Sequence, residues 1–128
     1  MPEMTIGYET KQSTPSFEDY TDNHVFYNVA KEQLLEAIHD EKEIIILVGS
    51  GGNGKSHLTN ELDTYLSLNN YSVYHDRFSM CNSAESFNRE LESTTGKILI
   101  HLLFNPFQRW NIQAPPNTRL ISMEHIRF

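Results

Sequence analysis

Residues 43–56, EIIILVGSGGNGKS, constrain this chain more than any other stretch. Glu43 to Val48 is a short apolar run rich in β-branched residues, the pattern of a strand buried on both faces of a parallel sheet. Gly49 and Gly54 then enclose Ser50, Gly51, Gly52 and Asn53, and Lys55 and Ser56 follow, which satisfies the GxxxxGK(S/T) template of a phosphate-binding loop. With glycine at about 7% of residues, chance meets the four fixed positions in so short a chain well under about one time in a hundred. Downstream, Leu58, Leu62, Tyr65 and Leu66 recur at helical spacing. Strand, glycine loop and helix, in that order, make an anion cradle: glycines let the backbone come close, successive N–H groups converge, and the helix start adds positive potential. Lys55 is expected to reach the β and γ phosphates of a bound nucleotide and the Ser56 hydroxyl to hold magnesium. His57, directly after Ser56, either lies beside the nucleotide or sits on the helix surface.

The flanking pattern extends this unit. Residues 1–16 are polar, contain two prolines and show no period, so they read as a flexible arm ahead of a domain spanning 17–128. A short extended piece is expected around Phe17 to Tyr20. Asp22 or Asn23 is a candidate cap for a helix over 26–39 with apolar positions at Val25, Val29, Leu34, Leu35 and Ile38. Asn69 and Asn70 mark a turn before an alternating second strand, YSVYHD, at 71–76. Ser83 opens a pattern resembling a capping box with Ser86, and Ala84, Phe87 and Leu91 line a helical face that Gly96 is expected to end. KILIHLLF at 97–104 is nearly all apolar and therefore a central strand; 105–117 reads as a long loop and 118–128 as a fourth strand. Alternating strands and helices predict an α/β fold, a small mostly parallel sheet flanked by helices in a three-layer sandwich, with ligand at the carboxyl ends of the strands.

Composition narrows the function classes. The net charge of −7 is carried by residues 1–40, whose eight acids and two lysines give −6; nine acids and eight bases over 41–128 leave −1. Such a chain is no general polyanion binder. Within 97–128, Lys97, Arg109, Arg119 and Arg127 face only Glu124, so any contact with single-stranded nucleic acid is expected to be local to this third, and a protein partner stays open as the alternative. One cysteine, Cys81, excludes an internal disulfide and suits a reducing interior. No apolar run approaches the roughly 20 residues of a membrane span, and the first residues lack a signal-peptide layout, so a cytoplasmic location is expected. The six histidines show no metal-ligand spacing; His101, interrupting an apolar strand, reads as a satisfied core histidine.

Loop and flanks together resemble the P-loop NTPase superfamily over residues 43–68. The string GNGKS is similar to the loops of viral and phage helicase-primase ATPases, GKSHL is similar to the GKTHL of AAA+ loaders of the DnaA and DnaC type, and a helix directly before the loop strand resembles the AAA+ arrangement. The resemblance implies binding of ATP or another nucleoside triphosphate by Gly49 to Gly54 and Lys55, with Ser56 on magnesium, and a minimal DNA-related ATPase. It also implies an acid at the end of a neighbouring apolar strand. In KILIHLLFN that place falls to Asn105, an uncharged metal partner or simply a turn-starting residue before Pro106. Two acids compete for the role: Glu124, after the apolar string LISM, and Asp76, which with Arg77 resembles the acceptor position of small nucleoside and polynucleotide kinases. Arg109 and Arg119 are candidates to meet charge developing on the γ-phosphate, and Phe104, Phe107 and Trp110 are either a base-stacking surface or the small core of their own loop. Three readings stay open: an ATPase, a small kinase, and a protein that binds nucleotide without turnover.

Overall fold

The computed structural model of this protein describes residues 24–49 and 54–123. The predicted arm, the piece at 17–20, the caps Asp22 and Asn23, loop residues 50–53 and Glu124 lie outside them. Along the chain the elements are β1 (His24–Val25), α1 (Tyr27–His39), β2 (Ile44–Val48), α2 (Lys55–Glu61), α3 (Asp63–Leu68), β3 (Tyr71–Tyr74), a 3₁₀ turn (Arg77–Met80), α4 (Ala84–Glu92), β4 (Lys97–Leu102), α5 (Pro106–Arg109) and β5 (Thr118–Met123). The strands form one five-stranded sheet in the order β1-β5-β2-β4-β3, and every pair is parallel. The α/β reading holds, with one strand more than the sequence pattern shows: β1 is only two residues long and pairs His24 with Ser122.

Strand alternation sorts the apolar residues into two cores. Ile45, Leu47, Leu99 and Ile121 face Ala30, Leu34, Ala37 and Ile38 of α1 and Leu58, Leu62 and Leu66 of α2 and α3. Ile46, Val48, Ile98, Ile100 and Leu102 face Phe78, Phe87 and Phe107 on the other side. A sheet covered on both faces is why β2 and β4 read as unbroken hydrophobic runs. On the first face the chain moves along the sheet from β1 to β2 and from β2 to β3. On the second it returns, from β3 to β4 and from β4 to β5. One crossover hand requires this exchange of faces on reversal.

Several local expectations are corrected. The cap of α1 is Phe26, with no side-chain hydrogen bond, and the buried stripe runs through Ala30 and Ala37, while Val29 faces outward. The loop helix is slackened at Leu62, whose φ of −102° separates α2 from α3, although Leu62 N still donates to the Leu58 carbonyl at 3.1 Å. Ser83 and Ser86 do form a capping box. Gly96, however, does not end α4, whose last residue is Glu92; with φ +76° it turns the chain into β4. The predicted loop at 105–117 contains α5, because Asn105 Oδ1 accepts from the backbone N–H groups of Phe107 and Gln108 and Pro106 supplies a first helical residue that needs no donor.

Candidate functional site

After β2 the chain leaves to the first face, into α2; after β4 it leaves to the second, into α5. Adjacent strands whose continuations diverge leave a crevice at their carboxyl ends, where ligands of open α/β sheets bind. Here that crevice is a cleft of about 360 Å³ lined by Lys55, Ser56, His75, Asp76, Ser79, His101, Leu102 and Leu103.

The flanks of the glycine loop are anchored. Gly49 N donates to the Leu102 carbonyl at 3.0 Å, fixing the end of β2 to the end of β4. Gly54 sits at φ +93°, ψ 10°, a left-handed conformation that costs little only without a Cβ, and its carbonyl receives Leu58 N as the first bond of α2. Lys55 is buried, and its ammonium donates to the Gly49 carbonyl across the loop. Burial lowers its pKa: a cation out of water favours proton loss, and anionic oxygens placed beside it would reverse that preference.

Beneath the loop lies a polar contact inside an apolar layer. His101, 5% exposed, sits 2.7 Å from Thr59 Oγ1 through Nε2, and that hydroxyl donates to the Lys55 carbonyl at 2.9 Å. The His75 ring meets the His101 ring edge-on with centroids 4.5 Å apart. Burial, then the neighbouring His75 and Lys55, push His101 down to about 4.

Asp76 follows β3, is exposed, and lines the same cleft as Lys55 and Ser56; its backbone carbonyl accepts from Ser79 N and Oγ. Among the described residues it is the one carboxylate lining that cleft. Arg77 does not share it: its guanidinium holds Glu90 and Ser93 of the α4 end and lies over the Tyr74 ring. The expected acid–arginine pair is therefore split, with the arginine serving the fold.

The other candidates are scattered. Asn105 is buried and spends Oδ1 on capping α5, and it does not line the cleft. His57 is exposed and packs on the Tyr27 ring with centroids 5.4 Å apart, toward α1. Arg119 pairs with Glu36 at 3.3 Å and is in register with Ile45, at the end of the sheet opposite the loop. That corrects its role: within one chain it cannot meet a phosphate at the carboxyl ends. Arg109 stacks on the Phe104 ring at 4.0 Å, and Phe104 and Phe87 both meet Trp110, so the aromatic cluster is largely the packing of its own loop on the second core.

Two lining residues, His101 and Ser79, and the buried Thr59 that His101 contacts escape a motif search. His101 leaves one trace, a polar residue in the middle of KILIHLL, and Thr59 lies one helical turn past Lys55, on the same face. Ser79 carries no signal of its own. Among the described residues no group of three or more His, Cys, Asp or Glu side chains is placed to hold a metal, and no helix there is long and apolar enough to cross a membrane. In comparisons with known proteins, no family model, curated protein or solved structure matches the chain.

Proposed function

We propose that this protein binds a nucleoside triphosphate, with magnesium, in the cradle from Gly49 to Ser56, and hydrolyses it with Asp76 as the general base. The observation that carries the reading is the shared cleft: Lys55 and Ser56 at the start of α2 and Asp76 at the end of β3 face one space. Lys55 neutralises phosphate oxygens, and backbone amides between the two anchored flanks, Gly49 and Gly54, would orient them. Ser56 Oγ, exposed at the cleft, is a hard oxygen donor of the kind magnesium takes, and a carboxylate one strand beyond β4 suits the outer part of its ligand shell. The ion supplies neutralisation of the charge developing on the γ-phosphoryl group. The Asp76 carboxylate accepts the proton of the attacking water.

A second reading, transfer to an acceptor hydroxyl, is favoured by the groups around Asp76: Ser79 and His75 line the same cleft beside it, where an acceptor would be held. The turned-away Arg77 counts against a charged acceptor at that point. Incubation of the protein with ATP and magnesium, with phosphate release measured alone and then with labelled transfer to nucleosides or polynucleotide ends, separates the two. Lys55→Ala should abolish nucleotide binding and leave the thermal unfolding profile in place; unchanged affinity in a calorimetric titration rejects the site.

A further inference from the structure

Residues 101 and 102 of β4 touch both flanks of the glycine loop. On the entering side the Leu102 carbonyl accepts from Gly49 N at 3.0 Å. On the leaving side His101 contacts Thr59 Oγ1 at 2.7 Å, and Thr59 Oγ1 contacts the Lys55 carbonyl at 2.9 Å. We propose that His101 is a positioning residue for the phosphate cradle, holding the Lys55 backbone through the Thr59 hydroxyl with its imidazole in the Nε2–H tautomer. This rests on the nucleotide reading of the cradle.

The tautomer follows from counting hydrogens. A threonine hydroxyl has one to give. The Lys55 carbonyl has none, so the hydroxyl hydrogen must go there for that carbonyl to be satisfied by Thr59. Nε2 then has to donate into a lone pair of the same oxygen, which leaves Nδ1 bare. The reverse assignment points the hydroxyl at the ring and leaves the 2.9 Å contact between Thr59 Oγ1 and the Lys55 carbonyl, already an acceptor in the α2 ladder, without a hydrogen. Two oxygens at that distance with no hydrogen between them repel, so the assignment that makes both contacts hydrogen bonds wins. A protonated ring is disfavoured by the same burial and by Lys55 itself.

Geometry explains why the device sits at this position. Leu47 of β2 is paired with His101, so the imidazole emerges on the first face, under α2, beside the strand that feeds the loop. Tyr74 is paired with Ile100, which puts His75 level with His101 and lets the two rings meet, limiting rotation of the buried one. The neighbouring Leu102 side chain goes to the opposite core, while its carbonyl remains in the sheet plane to hold Gly49. One dipeptide thus fixes the two ends of a loop whose job is to present amides and an amine at a set spacing, and pre-set geometry is what makes such a cradle bind.

The test compares the full-length wild type with His101→Leu, His101→Gln and Thr59→Val, using a fluorescent ATP analogue with magnesium and thermal unfolding in parallel. His101→Leu and Thr59→Val should each raise the nucleotide Kd about tenfold, the size of one buried hydrogen bond at about 1.4 kcal/mol per decade. His101→Gln, whose amide nitrogen stands near the place of Nε2, should stay within about threefold. The double variant should be no weaker than either single one, because both break the same relay. In the wild type, nitrogen NMR of the ring should show Nε2 protonated and Nδ1 bare. Wild-type affinity in His101→Leu, additive losses in the double variant, or an Nδ1-protonated ring overturns the proposal. Should one variant fail to fold, the other variant and the ring spectrum still decide it. A wild type that binds no nucleotide removes the cradle reading and this inference with it, whereas an Nδ1–H ring in a protein that does bind removes this inference alone.

Discussion

Acidification should destabilise this protein through His101 well before most carboxylates titrate. Burial and the neighbouring His75 and Lys55 hold the ring at about 4 in the folded chain, against an ordinary value of about 6.5 in the unfolded one. Between these values the unfolded chain binds a proton that the folded chain refuses, so stability rises with pH. The contribution is whole above pH 6.5 and drains away as pH falls toward 4. At about 1.4 kcal/mol per decade of proton affinity the ceiling is about 3 kcal/mol. The ring is 5% exposed yet borders an open cleft, and solvent there screens part of the effect, leaving about 2 kcal/mol. Roughly 1.5 kcal/mol of that should be lost between pH 7 and pH 5. Urea unfolding of wild type and His101→Gln at pH 7, 6 and 5 reads it directly: the wild type should lose this much more than the variant, which carries no titrating ring at that place. Parallel losses in the two proteins would refute the assignment of a buried, neutral imidazole, whatever else the cleft does.

Two further substitutions sort the acid and the amide that compete for the metal side of the site. Asp76→Asn should lower the turnover number by about 10²- to 10⁴-fold, the usual worth of a general base, while nucleotide Kd changes by less than about threefold; a turnover number within about twofold of wild type removes Asp76 from the mechanism. Asn105→Ala should cost about 1 kcal/mol of stability through the lost cap on α5 and leave the magnesium dependence of activity where it is, and a large shift in that dependence with unchanged stability would restore Asn105 as a metal partner.

Most of the layered fold is legible in the sequence because its cause is local. The β-branched runs at Ile44–Val48 and Ile98–Leu102 can be buried on both faces only in a covered parallel sheet, and the spacing of Leu58, Leu62 and Leu66 marks the helix that covers one face. What escapes the sequence depends on partners far along the chain. β1 has two residues and exists because β5 offers it an edge; His24 Nδ1 and Ser122 Oγ meet at 2.7 Å across a separation of 98 residues. No periodicity survives in so short a segment. Asn105 followed by Pro106 signals a stop, and the same pair is also the start of a helix, so the four-residue α5 was hidden by its own cap. Arg77 and Arg119 look equally free in sequence. Register and the 3₁₀ turn send the first to Glu90 and the second to Glu36, and neither destination is written near the arginine.

The site follows the same division. The loop template gives Lys55 and Ser56 by spacing alone, but which acid joins them depends on the order of strands, which spacing does not encode. With β4 between β2 and β3, an acid ending β3 stands two strands from the loop strand, about 10 Å at the usual strand separation. Asp76, just past that strand, shares with Lys55 and Ser56 the cleft that all three line. The end of β4 itself, where the sequence pattern points, carries no acid: the strand stops at Leu102, whose backbone carbonyl holds Gly49, and Asn105, three residues on, starts α5. On the proposed reading, the strand beside the loop shapes the cradle and Asp76, after the strand beyond it, takes the proton, so an acid missing from the end of β4 is met one strand away.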